Sequence, residues 1–170
     1  MTANQTFDIL NLVALGGWVL LALTPRLPRV TETVAGVVIP ALLGAVYIVL
    51  VAANWNGSEG GFSSLPAVAA LFSNPWILLA GWTHYLAFDL LVGNWEMRDA
   101  NARGIPYLLV LPCLVLTFLF GPAGWLLYLA VRSSQLVRPS NPSRVTIPPR
   151  NLAPTVMRPG REFGARCESA

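Results

Sequence analysis

Apolar residues occur along this chain in long blocks separated by short polar clusters, without the alternation of a half-buried strand. Four blocks stand out, over 7–23, 34–53, 76–92 and 105–131. A helix needs about 20 consecutive apolar residues to cross the ~30 Å hydrocarbon core of a bilayer, and each of the first three blocks is close to that length. Backbone amides in hydrocarbon must be satisfied within the segment, and nothing in the pattern suggests a barrel. The expected fold class is therefore all-α, an integral membrane bundle of about four transmembrane helices. The first block starts near Met1 without a basic leader, so it is expected to persist and not to act as a removable signal.

The connections carry turn chemistry. Thr24-Pro25-Arg26-Leu27-Pro28-Arg29 closes the first block, and Asn54-Trp55-Asn56-Gly57-Ser58-Glu59-Gly60-Gly61 is a glycine-rich loop. The apolar piece from Phe62 to Phe72 is too short to cross and reads as interfacial or re-entrant. Asn74-Pro75 then opens the third helix, with proline tolerated in the first turn. The fourth block would be about 40 Å long as a single helix, and Gly121-Pro122-Ala123-Gly124 interrupts it. It is either a kinked crossing or a hairpin. The apolar pattern favours a fourth crossing, whereas a turn back would put Arg98 and Arg103 on the same side as Arg132, Arg138 and Arg144. From Ser133 onward prolines and arginines interleave with no recurring apolar face, so a transmembrane domain over 1–132 is expected to be followed by a disordered basic tail over 133–170.

Composition narrows the function classes. With 55% apolar and 11% charged residues and a mean hydropathy of +0.59, the chain lacks the charge needed to cover a water-facing surface. Membrane lipids are the expected surroundings, and a multi-pass place in a bacterial inner (plasma) membrane is the expected location. All eleven basic residues are arginine. The tail holds six of them against two glutamates, which accounts for the net charge of +3. Such a tail either lies solvated or is drawn to anionic headgroups, and nothing in it resembles a module that binds nucleic acid. His84 is the single histidine, which excludes metal centres built from several imidazoles. Cys113 and Cys167 make neither a disulfide framework nor a thiolate cluster.

The densest polar constellation runs from Gly81 to Asp99. On a helix entering near Trp76, His84 lies about 12 Å and Asp89 about 20 Å along the axis. An ionised Asp at such depth costs about 2.5–3.5 kcal/mol on insertion scales, so it is expected to face a bundle interior. Trp82, Tyr85, Asp89, Gly93 and Glu96 follow one another at helical spacing, while His84, Phe88, Leu91 and Trp95 form the adjacent stripe. His84 and Asp89 are ~140° apart and cannot hydrogen-bond on a regular helix. A joint role would run through a substrate between helices; otherwise His84 bonds a neighbouring helix and Asp89 pairs with Arg98 or Arg103. Glu96, Arg98, Asp99 and Arg103 are expected in a short loop after the helix, as a solvated collar. Gly36, Pro40, Gly44 and Tyr47 give the second helix a shallow face for a neighbour. Trp18, Trp55, Trp76, Trp95 and Trp125 fit interface anchors.

Taken together, Trp82-x-His84-x-Leu86-x-x-Asp89-Leu90, Arg98-Asp99, Gly104-Ile105-Pro106, Pro112-Cys113 and Gly121-Pro122-x-Gly124 resemble the small membrane proteins related to plant neoxanthin synthase, the abscisic acid-deficient-four-like family. The resemblance spans about Phe62 to Arg132. Tyr107 stands where many relatives are expected to carry a histidine. The resemblance implies a role in carotenoid and xanthophyll metabolism, in which an epoxide is rearranged to an allenic alcohol without net oxidation. That chemistry needs proton donors and acceptors, and neither metal nor cofactor. By residue match His84 and Asp89 are the candidate catalytic pair, with Trp82, Tyr85, Phe88 and Tyr107 the candidate substrate contacts. The other open readings are a non-catalytic scaffold or pigment-binding partner of another membrane enzyme, a homo-oligomer, and a small proton or solute carrier using Asp89.

Overall fold

The computed structural model describes residues 1–23 and 28–134; apart from Ser133 and Ser134, the expected tail lies outside the described residues. Among these, every regular element is helical. Helix α1 (Ala3–Ala22) starts at a capping box, in which the Thr2 hydroxyl accepts from the Gln5 amide and the Gln5 side chain accepts from the Thr2 amide. Helix α2 (Pro28–Thr33) continues through a π-helical turn (Val34–Val38) into α3 (Ile39–Asn54). Pro40 explains the wide turn: it offers no N–H to the Gly36 carbonyl, and its ring crowds that oxygen. Helix α4 (Leu65–Phe72) is short, with the Ser64 hydroxyl accepting from the Ala67 amide. Helix α5 (Pro75–Arg103) opens on Asn74, whose side chain accepts from the Trp76 amide at 2.9 Å, and closes on Gly104 at φ +67°, the left-handed stop that glycine adopts without penalty. Helices α6 (Tyr107–Phe120) and α7 (Pro122–Ser133) complete the bundle.

Three helices are long and apolar enough to cross a membrane: Ala3–Ala22, Arg29–Gly57 and Pro75–Arg103. The third outruns the expected 76–92. Residues 93–103, expected to be a loop, carry the helix on, because no strong stop occurs before Gly104-Ile105-Pro106 and the final turn is supported by an Asp99–Arg103 ion pair at 2.8 Å.

The fourth block is two helices. Fourteen residues of α6 reach only about 21 Å, and Gly121 at φ +42° reverses the chain. Helix α7 folds back so closely that a Cβ on Gly124 would overlap the backbone N and Oγ1 of Thr117. Both outer ends of this hairpin lie at the same end of the bundle: the Tyr107 hydroxyl donates to the Ala22 carbonyl at 2.9 Å, and the Tyr128 hydroxyl donates to Asp99 at 2.6 Å. Its tip lies halfway along α5, where a Cβ on Gly121 would come within 2.7 Å of an Asp89 oxygen. The fourth block, expected as either a kinked crossing or a hairpin, is thus a helical hairpin, and among the described residues three helices are long and apolar enough to span.

Helix α5 is the central post, with α1, α3 and α6 packed on different sides. Small residues set the approach: a Cβ on Gly17 would press into Leu90, and one on Gly93 into the Trp18 ring. Trp18, expected at an interface, is buried in this contact. Gly36 receives the Asn94 side chain in the same way, as its shallow face predicts.

Candidate functional site

Helix α5 presents its polar residues to two different neighbours. His84 faces α3: its ring stacks on Phe88 with centroids 4.5 Å apart and lies 5.4 Å from the Tyr47 ring. Two open grooves meet there. One of about 570 Å³ runs between Ala41, Gly44 and Ile48 of α3 and Ala87 and Phe88 of α5. The other, of about 290 Å³, continues past Val51 and Trp55 to Phe62 and Phe72. Tyr47 and His84 line both. From Ala41 to Trp55 the combined trough follows fourteen residues of helix, about 21 Å. Its walls are aliphatic and aromatic, and the imidazole lies partway along them.

Asp89 points the other way, as five residues of helix dictate. It is 9% exposed and lies under Gly121 at the hairpin tip. The Tyr85 hydroxyl reaches the same carboxyl while donating to the Leu119 carbonyl at 3.3 Å. One Asp89 oxygen, Oδ2, is buried without a hydrogen-bond partner. No arginine pairs with it among the described residues; Arg103 and Arg132 are held by Asp99, at 2.8 and 3.4 Å.

The structure therefore brings His84 and Phe88 together and separates both from Asp89. Trp82 and Tyr85 are neighbours, with ring centroids 5.3 Å apart, but Trp82 is turned to α1, donating to Asn11 at 3.0 Å and lying 5.7 Å from the Phe7 ring. Tyr107 is remote from both places and fastens α6 to the end of α1. His84 and Asp89 share a helix without sharing a pocket.

Two features escaped the sequence reading. Glu96, expected in a solvated collar, is fully buried. Its Oε1 accepts from the Thr117 hydroxyl at 2.9 Å, and its Oε2 has no partner. The spacing Asp89, Glu96 did place the two carboxylates on one face; what was hidden was that α5 continues and that a hairpin covers this face. Tyr47 was assigned only to a shallow stripe, and its place opposite His84 follows from how α3 docks on α5.

A family model described as ABA DEFICIENT 4-like matches residues 5–128. No curated protein and no solved structure matches the chain.

Proposed function

Because the chain belongs to the ABA DEFICIENT 4-like family, we propose that it binds a long carotenoid-like isoprenoid in the trough between α3 and α5 and isomerises it without redox chemistry, with His84 as the group that handles the proton. The observation that carries this reading is the position of the only histidine, set in the wall of an apolar trough that opens to the bilayer. A polyene needs flat aromatic and aliphatic walls and few polar contacts. Phe88, Tyr47 and Trp55 supply the walls. Rearranging an epoxide to an allenic alcohol moves one proton off carbon and puts one on oxygen, with no electron donor or acceptor. An imidazole accepts a proton at one nitrogen and donates from the other, so one residue can serve both halves when the substrate lies along it.

The test is expression in a host that makes oxygenated carotenoids, with the pigments compared by chromatography. A product absent from the empty host, retained by Tyr107→Phe and lost by His84→Gln, is the expected result. An unchanged profile with the wild-type protein across epoxide-bearing carotenoids overturns the enzyme reading.

A second reading, a pigment-binding partner of another membrane enzyme, is favoured by one observation: the trough contains a single strong proton-transfer group, since Asp89 lies on the opposite side of α5. Co-purification of pigment by wild-type and His84→Gln protein alike, without a new product, is its signature.

A further inference from the structure

Every acidic side chain of α5 meets the re-entrant hairpin at a different height. Asp89 lies under the Gly121 turn, Glu96 takes the Thr117 hydroxyl of α6, and Asp99 takes the Tyr128 hydroxyl of α7. Among the described residues only the last has cations beside it, Arg103 and Arg132. Asp89 and Glu96 are both more than nine-tenths buried, and each keeps one oxygen that no donor among the described residues satisfies. Two carboxylates two helical turns apart, out of water and with no counter-ion among the described residues, are not both ionised, because the cost of one uncompensated charge in hydrocarbon is already large and a second like charge nearby adds to it. A positive charge at the unsatisfied oxygens would complete the arrangement.

The other groups around the pair leave the proton as the occupant. Beside Asp89 are the Tyr85 hydroxyl, the Leu119 carbonyl and the Gly121 turn. Around Glu96 are Thr117 and Cys113 of α6. Where α1 meets this stretch of α5 it brings Trp18 and Leu21 against Gly93. A sodium ion needs several oxygens at short range, more than the described residues bring to either position; a proton needs one oxygen, and each position has one spare. Below them, Asp99 is partly open to water, with 17% of its side chain exposed, and lies one turn from Glu96.

We propose that Asp89 and Glu96 form a proton-holding pair beneath the hairpin, loaded from the aqueous phase at the Arg103–Arg132 end past Asp99. The transfer is a plain acid-base exchange. A proton from water is taken up at Asp99 and exchanges with Glu96 one turn away, and water entering beneath the hairpin carries it the further two turns to Asp89; each O–H bond formed is matched by one broken on the preceding donor. The pair lies on the side of α5 opposite the trough, so this proposal stands whether or not the trough holds a carotenoid.

Infrared spectroscopy of the full chain in lipid bilayers, in light and heavy water, tests it. The expected result is two protonated-carboxyl bands at neutral pH that shift in heavy water, one lost in Asp89→Asn and the other in Glu96→Gln. In each variant the remaining band loses its proton at lower pH than in the wild type, since the neighbouring charge that opposed its ionisation is gone. Asp99→Asn slows the heavy-water shift of both bands several-fold without removing either. Absence of both bands at neutral pH overturns the proposal, as does a pair of bands whose midpoints ignore the partner's substitution. Loss of both bands on adding sodium at fixed pH also overturns it, by naming a metal cation instead. Asp8→Asn, far from the hairpin, controls for misfolding: it is expected to leave the bands unchanged.

Discussion

At the scale of single residues, the hairpin's grip on α5 depends on a few polar atoms with no substitutes. Thr117→Val removes the donor to Glu96 while keeping the shape, and leaves a buried acceptor unpaired. We expect a loss of about 1–3 kcal/mol in stability, read as a lower midpoint of thermal unfolding in detergent. Tyr107→Phe removes one hydrogen bond at the bundle end and is expected to cost about 0.5–1.5 kcal/mol in the same measurement. Gly121→Ala places a Cβ against the Asp89 carboxyl at a φ that L residues rarely adopt. Strain of about 1–3 kcal/mol follows, and the variant should unfold earlier than Thr117→Val. Asp89 was legible in the sequence as an isolated carboxylate within an apolar block. Glu96 was not, because its place near Arg98 and Asp99 reads as a membrane edge, and only the arrival of Thr117 from 21 residues away buries it.

At the scale of elements, the first and second spans followed from apolar run length, because in hydrocarbon length and hydrogen-bond satisfaction leave few alternatives. Expected bounds of 7–23 and 34–53 stand beside Ala3–Ala22 and Arg29–Gly57. Apolar run length failed at α5, where the helix continues through polar residues that another element then covers, and at the fourth block, where it cannot tell one crossing from a short hairpin. The deciding signal lay in Gly121-Pro122-Ala123-Gly124: one glycine to reverse the chain and a second, three residues on, to let α7 lie against the α6 backbone. Gly124→Leu should therefore act on the element as a whole. Its side chain meets the Thr117 main chain, which cannot move aside as a side chain can, so we expect a loss larger than the ~1–3 kcal/mol of ordinary overpacking. The midpoint of thermal unfolding in detergent should then fall further for Gly124→Leu than for Thr117→Val.

At the scale of the whole molecule, three spans and a returning hairpin gather Arg29, Arg98, Arg103 and Arg132 at one end of the bundle, while the other described end carries Asp8 and Glu59 and no arginine. The charge bias that is ambiguous for four crossings becomes uniform with three, and by the positive-inside tendency the arginine end is expected in the cytoplasm. Single cysteines at 104 and 134, in a Cys113→Ala, Cys167→Ser background, should react with a membrane-impermeant maleimide from the same face, and a cysteine at 60 from the opposite one. Labelling of 104 and 134 from opposite faces would restore a fourth crossing. The site divided differently between sequence and structure: helical spacing already showed that His84 and Asp89 diverge, but which neighbour each would meet depended on docking that the sequence of α5 does not contain.

The half-depth hairpin also makes the two leaflets unequal. In the arginine-side leaflet five helical segments pass through the plane, and in the other the three spans continue alone past the tip, with only the short α4 near the surface. Lipid tails must fill the room beneath Phe118, Leu119 and Phe120, all exposed at the tip. With three spans and a half-depth hairpin the protein would take up more lateral area on one side of the midplane than on the other, and acyl-chain length and membrane curvature are the variables expected to bear on its hairpin.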